Sequence, residues 1–440
     1  VRARCSPHFR FVTSPLLLCL FAFLAFSQEK PRLKDFGSSL KKLKWDAKQN
    51  TTVETKDKSK TPAKSIDEVD VVKVETSLVV GDVLVLDQRG NSVPGLTEKD
   101  FLITEEGKPE QVGMFSAGDN TNVPRSIVLV IDYSGSQFPF IGASVAAAKS
   151  LVDKLSPKDR MAIVTDRLDV LTDFTSDKQQ LKDRLQSLER KSLPYYRSSL
   201  PERGRGNVYS SLMATLREAF AEDLRPIIIV QTDGDDIERL RNPIITPTLP
   251  ANLPAQERDW RRRAIDEINA YNQNHITEFS LDDVYKAAEH SRATIYTITP
   301  GWQLIGVSPA QEIERYRAWQ AKIMLSWTPP GRREIAADRM RHLSDEDFRI
   351  QIEEVKKMQS ALALLATITG GWANFFSDPA EADEIYSRIF SDINRRYLVG
   401  YYPTNKEHDG KRRKINIEVR GHPEYIVMMR KAYYAPSPDQ

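Results

Sequence analysis

The segment at residues 126–136, Ser-Ile-Val-Leu-Val-Ile-Asp-Tyr-Ser-Gly-Ser, constrains the fold more than any other. Residues 127–131 form an unbroken apolar run rich in β-branched side chains. Such a run predicts a strand buried on both faces, as in a parallel sheet covered by helices. Asp132 stands where that strand stops. Ser134 and Ser136 follow at spacings of two, with Gly135 between them to let the loop turn tightly. One carboxylate and two hydroxyls are thereby placed at the carboxyl edge of a sheet, where open α/β folds bind their ligands. Oxygen-only donors suit a hard divalent cation, Mg²⁺ or Ca²⁺, rather than zinc. Taken alone, Asp-x-Ser-x-Ser also fits an aspartate that caps the next helix and serines that make a turn.

A second strand supplies context. Residues 227–230 are another short apolar run, followed by Thr232, Asp233, Gly234, Asp235 and Asp236. Two parallel strands that each end in Asp can bring both carboxylates to one crevice. Bare, they would repel, and one would tend to hold its proton. A cation removes that penalty.

Asp132-Tyr133-Ser134-Gly135-Ser136, followed by Thr232-Asp233-Gly234, resembles the metal-ion-dependent adhesion site (MIDAS) of von Willebrand factor A (VWA) domains. More narrowly, the chain resembles the VWFA-related family of secreted acidobacterial proteins. Further matching stretches are Gly95-Leu96-Thr97-Glu98-Lys99-Asp100-Phe101 with Glu106-Gly107-Lys108-Pro109, residues 397–404, and the tail at 430–434. The resemblance spans residues 69–434. It implies that Ser134 and Ser136 contact the metal directly and that Asp132 and Asp233 do so directly or through water. It also implies one open coordination position that accepts an acidic group from a protein partner. The family's metal-binding threonine is missing. Its usual stretch reads Gly204-Arg205-Gly206-Asn207-Val208-Tyr209 here, with Gly206 at the threonine position. A one-residue shift puts Asn207 there, and its amide oxygen can serve as a ligand. Water can replace a lost neutral ligand at a cost in affinity. The readings that stay open are a cation-dependent binding module and a metal-free structural module of the envelope with a degenerate site.

The chain's 440 residues allow two domains and linkers. Residues 1–27 read as a secretory signal, with Arg2, Arg4 and Arg10 as a basic head and an apolar core at 16–26. That core is short for a membrane span. Ala25-Phe26-Ser27 offers small residues for cleavage before Gln28, which leaves no stable span in the mature chain. The alternative is an uncleaved anchor. A lipoprotein reading through Cys19 is disfavoured by the bulky Leu18 before it. Both cysteines, Cys5 and Cys19, leave with the segment, so no disulfide is expected. Three arginines leave as well, which turns a formal net charge of +2 into −1. A nearly neutral chain gives no electrostatic reason to expect nucleic acid. The address is secreted or periplasmic.

Residues 28–65 are polar and lysine-rich and read as a flexible linker. Residues 66–122 change to a period of two, with strands at 69–74 and 78–86, and a hairpin in which 101–104 and 111–115 flank Glu105-Glu106-Gly107-Lys108. Strand-like runs return at 397–402, 414–419 and 425–429. We expect residues 66–122 and 396–434 to build one small β-sandwich, with a VWA-like domain at 123–395 inserted between them. Within it the pattern alternates. Helices are expected at 143–155, 177–188, 208–221, 281–290, 358–368 and 382–395, the fifth closed by Gly370-Gly371. Strands are expected at 159–165, 225–231, 293–299 and 372–376. Such alternation implies a doubly wound, mostly parallel α/β sheet of VWA/Rossmann-like type.

Two segments exceed that pattern: a basic loop at 193–205 that leads into the crevice, and a charged, mostly helical insertion at 303–355. Asp235 and Asp236 read as ordinary exposed loop residues, and 258–263 as a solvated helical face. His275, His290, His342, His408 and His422 show no ligand spacing. No enzyme is expected. An Asp nucleophile of the phosphoryl-transfer type usually has a second Asp two residues on, where Ser134 stands, and no Cys/His or Ser/His pair is spaced for catalysis.

Overall fold

A computed structural model describes residues 43–46, 51–54, 78–118, 124–137, 139–191, 207–220, 225–245, 249, 254–335, 337, 344–378 and 380–437. The readings of a signal at 1–27, a strand at 69–74 and a loop at 193–205 lie outside the described residues. Within the stretch read as linker, β1 (Leu43–Asp46) and β2 (Thr51–Glu54) pair antiparallel. Four strands precede the α/β region: β3 (Val79–Leu86), β4 (Phe101–Glu105), β5 (Lys108–Glu110) and β6 (Val112–Ser116).

The α/β region opens with β7 (Ser126–Ile131), α1 (Ile141–Lys154), β8 (Arg160–Thr165), β9 (Val170–Thr175), α2 (Lys178–Lys191) and α3 (Val208–Glu218). It continues through β10 (Pro226–Gln231), α4 (Ala255–Asn274), α5 (Leu281–His290), β11 (Thr294–Pro300) and α6 (Pro309–Trp327). It closes with α7 (Asp345–Ile368), β12 (Ala373–Phe376) and α8 (Glu381–Arg395). The last strands are β13 (Tyr397–Tyr401), β14 (Arg412–Val419), β15 (Ile426–Met428) and β16 (Ala432–Tyr434).

The central sheet has the order β12-β11-β10-β7-β8-β9, and every pairing is parallel except β8 with β9. Counted in chain order along the sheet, this is 3-2-1-4-5-6, a doubly wound order. The reversal falls between β7 and β10, which pair in register from Ser126 with Pro226 to Ile131 with Gln231. All six residues of each strand are buried. Alternate side chains explain why. Val128, Val130, Ile228 and Val230 pack against Leu212, Met213, Val284 and Leu362 of α3, α5 and α7. Ile127, Leu129, Ile227 and Ile229 pack against Val145, Leu151, Leu185 and Tyr386 of α1, α2 and α8. The antiparallel edge strand β9 had no sequence expectation.

The remaining strands form two antiparallel sheets, β15-β3-β13-β6 and β16-β14-β4-β5, which share one core of residues such as Val83, Phe101, Ile103, Val399 and Ile417. Each sheet mixes strands from before and after the α/β region, so the doubly wound sheet is inserted in a β-sandwich. In β14, exposed and buried residues alternate strictly, as a half-buried strand requires. The insertion at 303–355 is helical, and Leu304, Tyr316, Phe348 and Ile352 give α6 and α7 a small core of their own. Among the described residues no helix is long and apolar enough to cross a membrane.

Candidate metal centre

The site lies where the strand order reverses, as doubly wound sheets require of their ligand crevices. The ladder runs one step past each strand. The Asp132 amide donates to the Gln231 carbonyl (3.0 Å), and the Thr232 amide donates to the Ile298 carbonyl (3.1 Å). Both tips are thus pinned before their loops begin. The Asp132 side chain is wholly buried. Its Oδ1 accepts from the Ser134 amide (2.9 Å), and its Oδ2 accepts from the Thr232 hydroxyl (2.7 Å). The hydroxyls of Ser134 and Ser136 lie 3.3 Å apart. Gly234 turns the second loop with φ +77°, and a Cβ there would also meet Leu362 at 3.2 Å. That turn sends Asp235 back toward the strand tip.

Carboxylate oxygens of Asp132, Asp233 and Asp235 all lie within 4.8 Å of one another. The structure therefore joins Asp132, Ser134, Ser136 and Asp233 on one rim and adds Asp235, which sequence reading had dismissed as ordinary loop. The electrostatics follow from crowding. Burial, then the charge of Asp132, pushes the Asp233 carboxyl up to about 6, against donors from Ser136, Gln137 and the Asp235 amide. Burial and the charges of Asp233 and Asp132 push Asp235 well above the usual carboxylate range. Asp132 is raised by burial, opposed by its bonds to Ser134 and Thr232. Three oxygen donors of one sign beside two hydroxyls are the donor set of a hard cation, and a site that must otherwise hold protons fits such an ion.

Two further acids ring the cluster. Asp166, at the tip of β8, is wholly buried and accepts from the Tyr133 amide (3.3 Å). Its second oxygen has no partner, and burial with the nearby Asp132 charge raises its pKa well above the ordinary value. Sequence reading passed over Asp166, although the rule that found Asp132, an apolar strand stopping in Asp, applies to it equally. Asp236 accepts from the Tyr209 amide (3.1 Å) and lies 3.9 Å from the Arg239 guanidinium. It is buried, not an exposed loop residue, and burial pushes it up to about 7 in spite of Arg239.

Asn207, the stand-in for the missing threonine, is differently placed. Its amide donates to the Asp166 carbonyl (3.0 Å), which sets it on the same rim. Its side-chain oxygen, however, accepts from Arg239 Nη1 (2.8 Å), so one of its two lone pairs is engaged and a guanidinium stands where it would repel a cation. Arg239 is itself buried and serves as an internal cation for the ring of acids.

No protein-family model and no curated protein sequence matches the chain. Solved structures do. The vWF domain of the type V pili tip protein Mfa5 from Porphyromonas gingivalis is 16% identical, with 62% of this chain and 95% of that one covered at a TM-score of 0.32. A von Willebrand factor type A structure from Catenulispora acidiphila is 10% identical, with 82% and 74% covered at 0.30. Manganese-loaded TRAP protein from Plasmodium vivax is 12% identical, with 75% and 97% covered at 0.26. These TM-scores lie below 0.5, and the fold assignment stands on the strand order and the aspartate-tipped strands at its reversal.

Proposed function

We propose that this von Willebrand factor A-type chain is a non-enzymatic protein-interaction module, secreted or periplasmic, whose rim holds Mg²⁺ or Ca²⁺ and through it an acidic residue of a protein partner. Asp132, Ser134, Ser136 and Asp233 would hold the ion, with Asp235 as a further carboxylate. The ion supplies positive charge at a surface that otherwise repels acids. The chain's own residues do the rest. Thr232 and the Ser134 amide orient Asp132, and Gly234 brings Asp235 to the rim. The observation that carries this reading is the meeting of three carboxylates within 4.8 Å beside paired serine hydroxyls.

One observation favours a second reading, a metal-free structural module. The amide oxygen of Asn207 is engaged by Arg239 and the threonine is absent, so the ion has fewer neutral ligands. Calorimetric titration with Mg²⁺, Ca²⁺ and Mn²⁺ separates the two. Saturable binding of one ion per chain is expected, weakened by more than about 100-fold in Asp132→Ala. The circular dichroism of that variant should match wild type, because the change removes a buried charge from a crowded acidic site. Heat from none of the three ions would leave the structural reading standing.

A further inference from the structure

Next to the carboxylate rim lies a cavity that cation binding alone does not use. Ser136, Asp233 and Asp235 form one side of a space of about 490 Å³. The other side comes largely from the helical insertion and is mostly aromatic and aliphatic, with Trp302, Trp319, Ile323 and Met358 in it beside Arg261 and Glu354. That volume is in the range of specific ligand sites, which are mostly apolar with a few placed polar groups. The backbone is shaped for it. Gly301 has φ +123°, and a Cβ there would come within 3.2 Å of Trp319 Nε1.

Two lining residues carry an enclosed polar atom that lacks a hydrogen-bond partner: Thr299 Oγ1, in a residue 3% exposed, and Trp319 Nε1. Buried polar groups are rarely left unpaired, and a ligand is one way to satisfy them. An indole N–H can only donate. An occupant that offers an acceptor as well as an apolar body and a carboxylate would satisfy it. A hydrocarbon acid has no acceptor outside its carboxylate. A peptide has a carbonyl beside every side chain, and the tryptophans favour an aromatic ring.

We propose that the cavity receives an aromatic side chain of a partner peptide, next in sequence to the acidic residue that the rim's cation holds. Thr299 and Trp319 then meet the peptide backbone, and the pair acidic–aromatic is what the protein selects. The inference rests on the cation-dependent reading above and names the partner class for it.

The test uses the full chain, with Mn²⁺ affinity measured first by calorimetry. Fluorescent peptides that carry Asp-Phe, Asp-Gly or Asn-Phe in a glycine frame are then titrated in saturating Mn²⁺, with decanoate as a hydrocarbon competitor. Asp-Phe should bind at least about tenfold tighter than Asp-Gly, the size expected for burying one ring. Asn-Phe should bind weakly, and decanoate should compete poorly. Ile323→Trp, which fills the cavity, should erase most of that preference, and Trp319→Phe, which removes the N–H that meets the backbone, should weaken Asp-Phe and Asp-Gly alike, with Mn²⁺ affinity unchanged in both. Should Ile323→Trp fail to fold, Ile323→Phe, a smaller filler of the same space, carries the comparison. Equal binding of Asp-Phe and Asp-Gly, no measurable Asp-Phe binding, or decanoate competing as well as the peptide overturns the inference and leaves the cation reading in place. A wild-type chain that takes up no Mn²⁺ removes both.

Discussion

Burial, and after it the charge of Asp132, hold the Asp233 carboxyl up at about 6, whereas the unfolded chain titrates it near 4. A carboxyl with a raised folded pKa binds its proton more tightly in the folded state. Its contribution to stability is therefore present at low pH and is lost as pH rises from about 4 through about 6. Without divalent cation, the melting temperature of wild type relative to Asp233→Asn should fall across that window. Added Mg²⁺ at pH 7.5 should recover the loss in wild type and not in the variant. Parallel melting curves for the two chains at every pH would show that crowding at Asp233 is not what sets its titration. Residue by residue, legibility followed locality. Asp132, Ser134, Ser136 and Asp233 were visible because a doubly buried strand must be apolar and must stop somewhere. Asp235 was not, because its return to the rim depends on the left-handed turn at Gly234. The engagement of Asn207 by Arg239 joins residues 32 positions apart and leaves no local trace.

At the scale of elements, the exit of α7 into β12 holds the closest backbone approach among the described glycines. Gly370 turns with φ +84°, and Gly371 follows with its amide donating to the Ala366 carbonyl (3.0 Å). A Cβ on Gly371 would stand 1.8 Å from the Ile295 carbonyl oxygen, which is backbone of β11. No rotamer change relieves such a contact, so the strand or the helix must shift. Gly371→Ala should cost more than about 3 kcal/mol or prevent folding. Gly421→Ala is the control. It has φ +76° and no neighbour within 4 Å, so only the backbone penalty of about 1 kcal/mol should appear. Urea denaturation of both variants makes the comparison, and similar losses would mean that the close approach is not tight in solution. The Gly-Gly stop was readable as punctuation, but the carbonyl behind it was not. In the same way helices and parallel strands were readable from their apolar periods. The edge strand β9 was not, since only Thr172 and Phe174 of its six residues are buried and the pattern is short.

Over the whole molecule, the two ends of the chain hold each other. β13 lies between β3 and β6, and β14 lies between β4 and β16. The buried carboxylate of Glu105, on β4, accepts from the hydroxyls of Tyr401 (2.7 Å) and Tyr433 (2.9 Å), both contributed after the α/β region. Arg396, wholly buried at the junction, donates to the Tyr296 hydroxyl (2.9 Å), the Asp82 carbonyl (3.1 Å) and the Gly370 carbonyl (2.6 Å). It thereby ties the sandwich to the doubly wound sheet. The strands on either side were legible from their alternation. Their pairing was not, because register between strands some 300 residues apart is set by the folded core and not by neighbouring sequence. A chain ended at Arg395 tests the consequence. It would leave β3 and β6 without the strand that joins them and β4 with only its hairpin partner β5, and a lone hairpin is at best marginal in water. Glu105 would lose both tyrosines. Amides of Val79–Leu86 should then exchange at unfolded-chain rates, while those of residues 227–231, held by β7 and β11, should stay slow. Slow exchange at both strands would mean that the N-terminal strands fold without their C-terminal partners, and the sandwich would then be two separable halves. Fast exchange at both would mean that the α/β sheet depends on the sandwich through Arg396, not only the reverse.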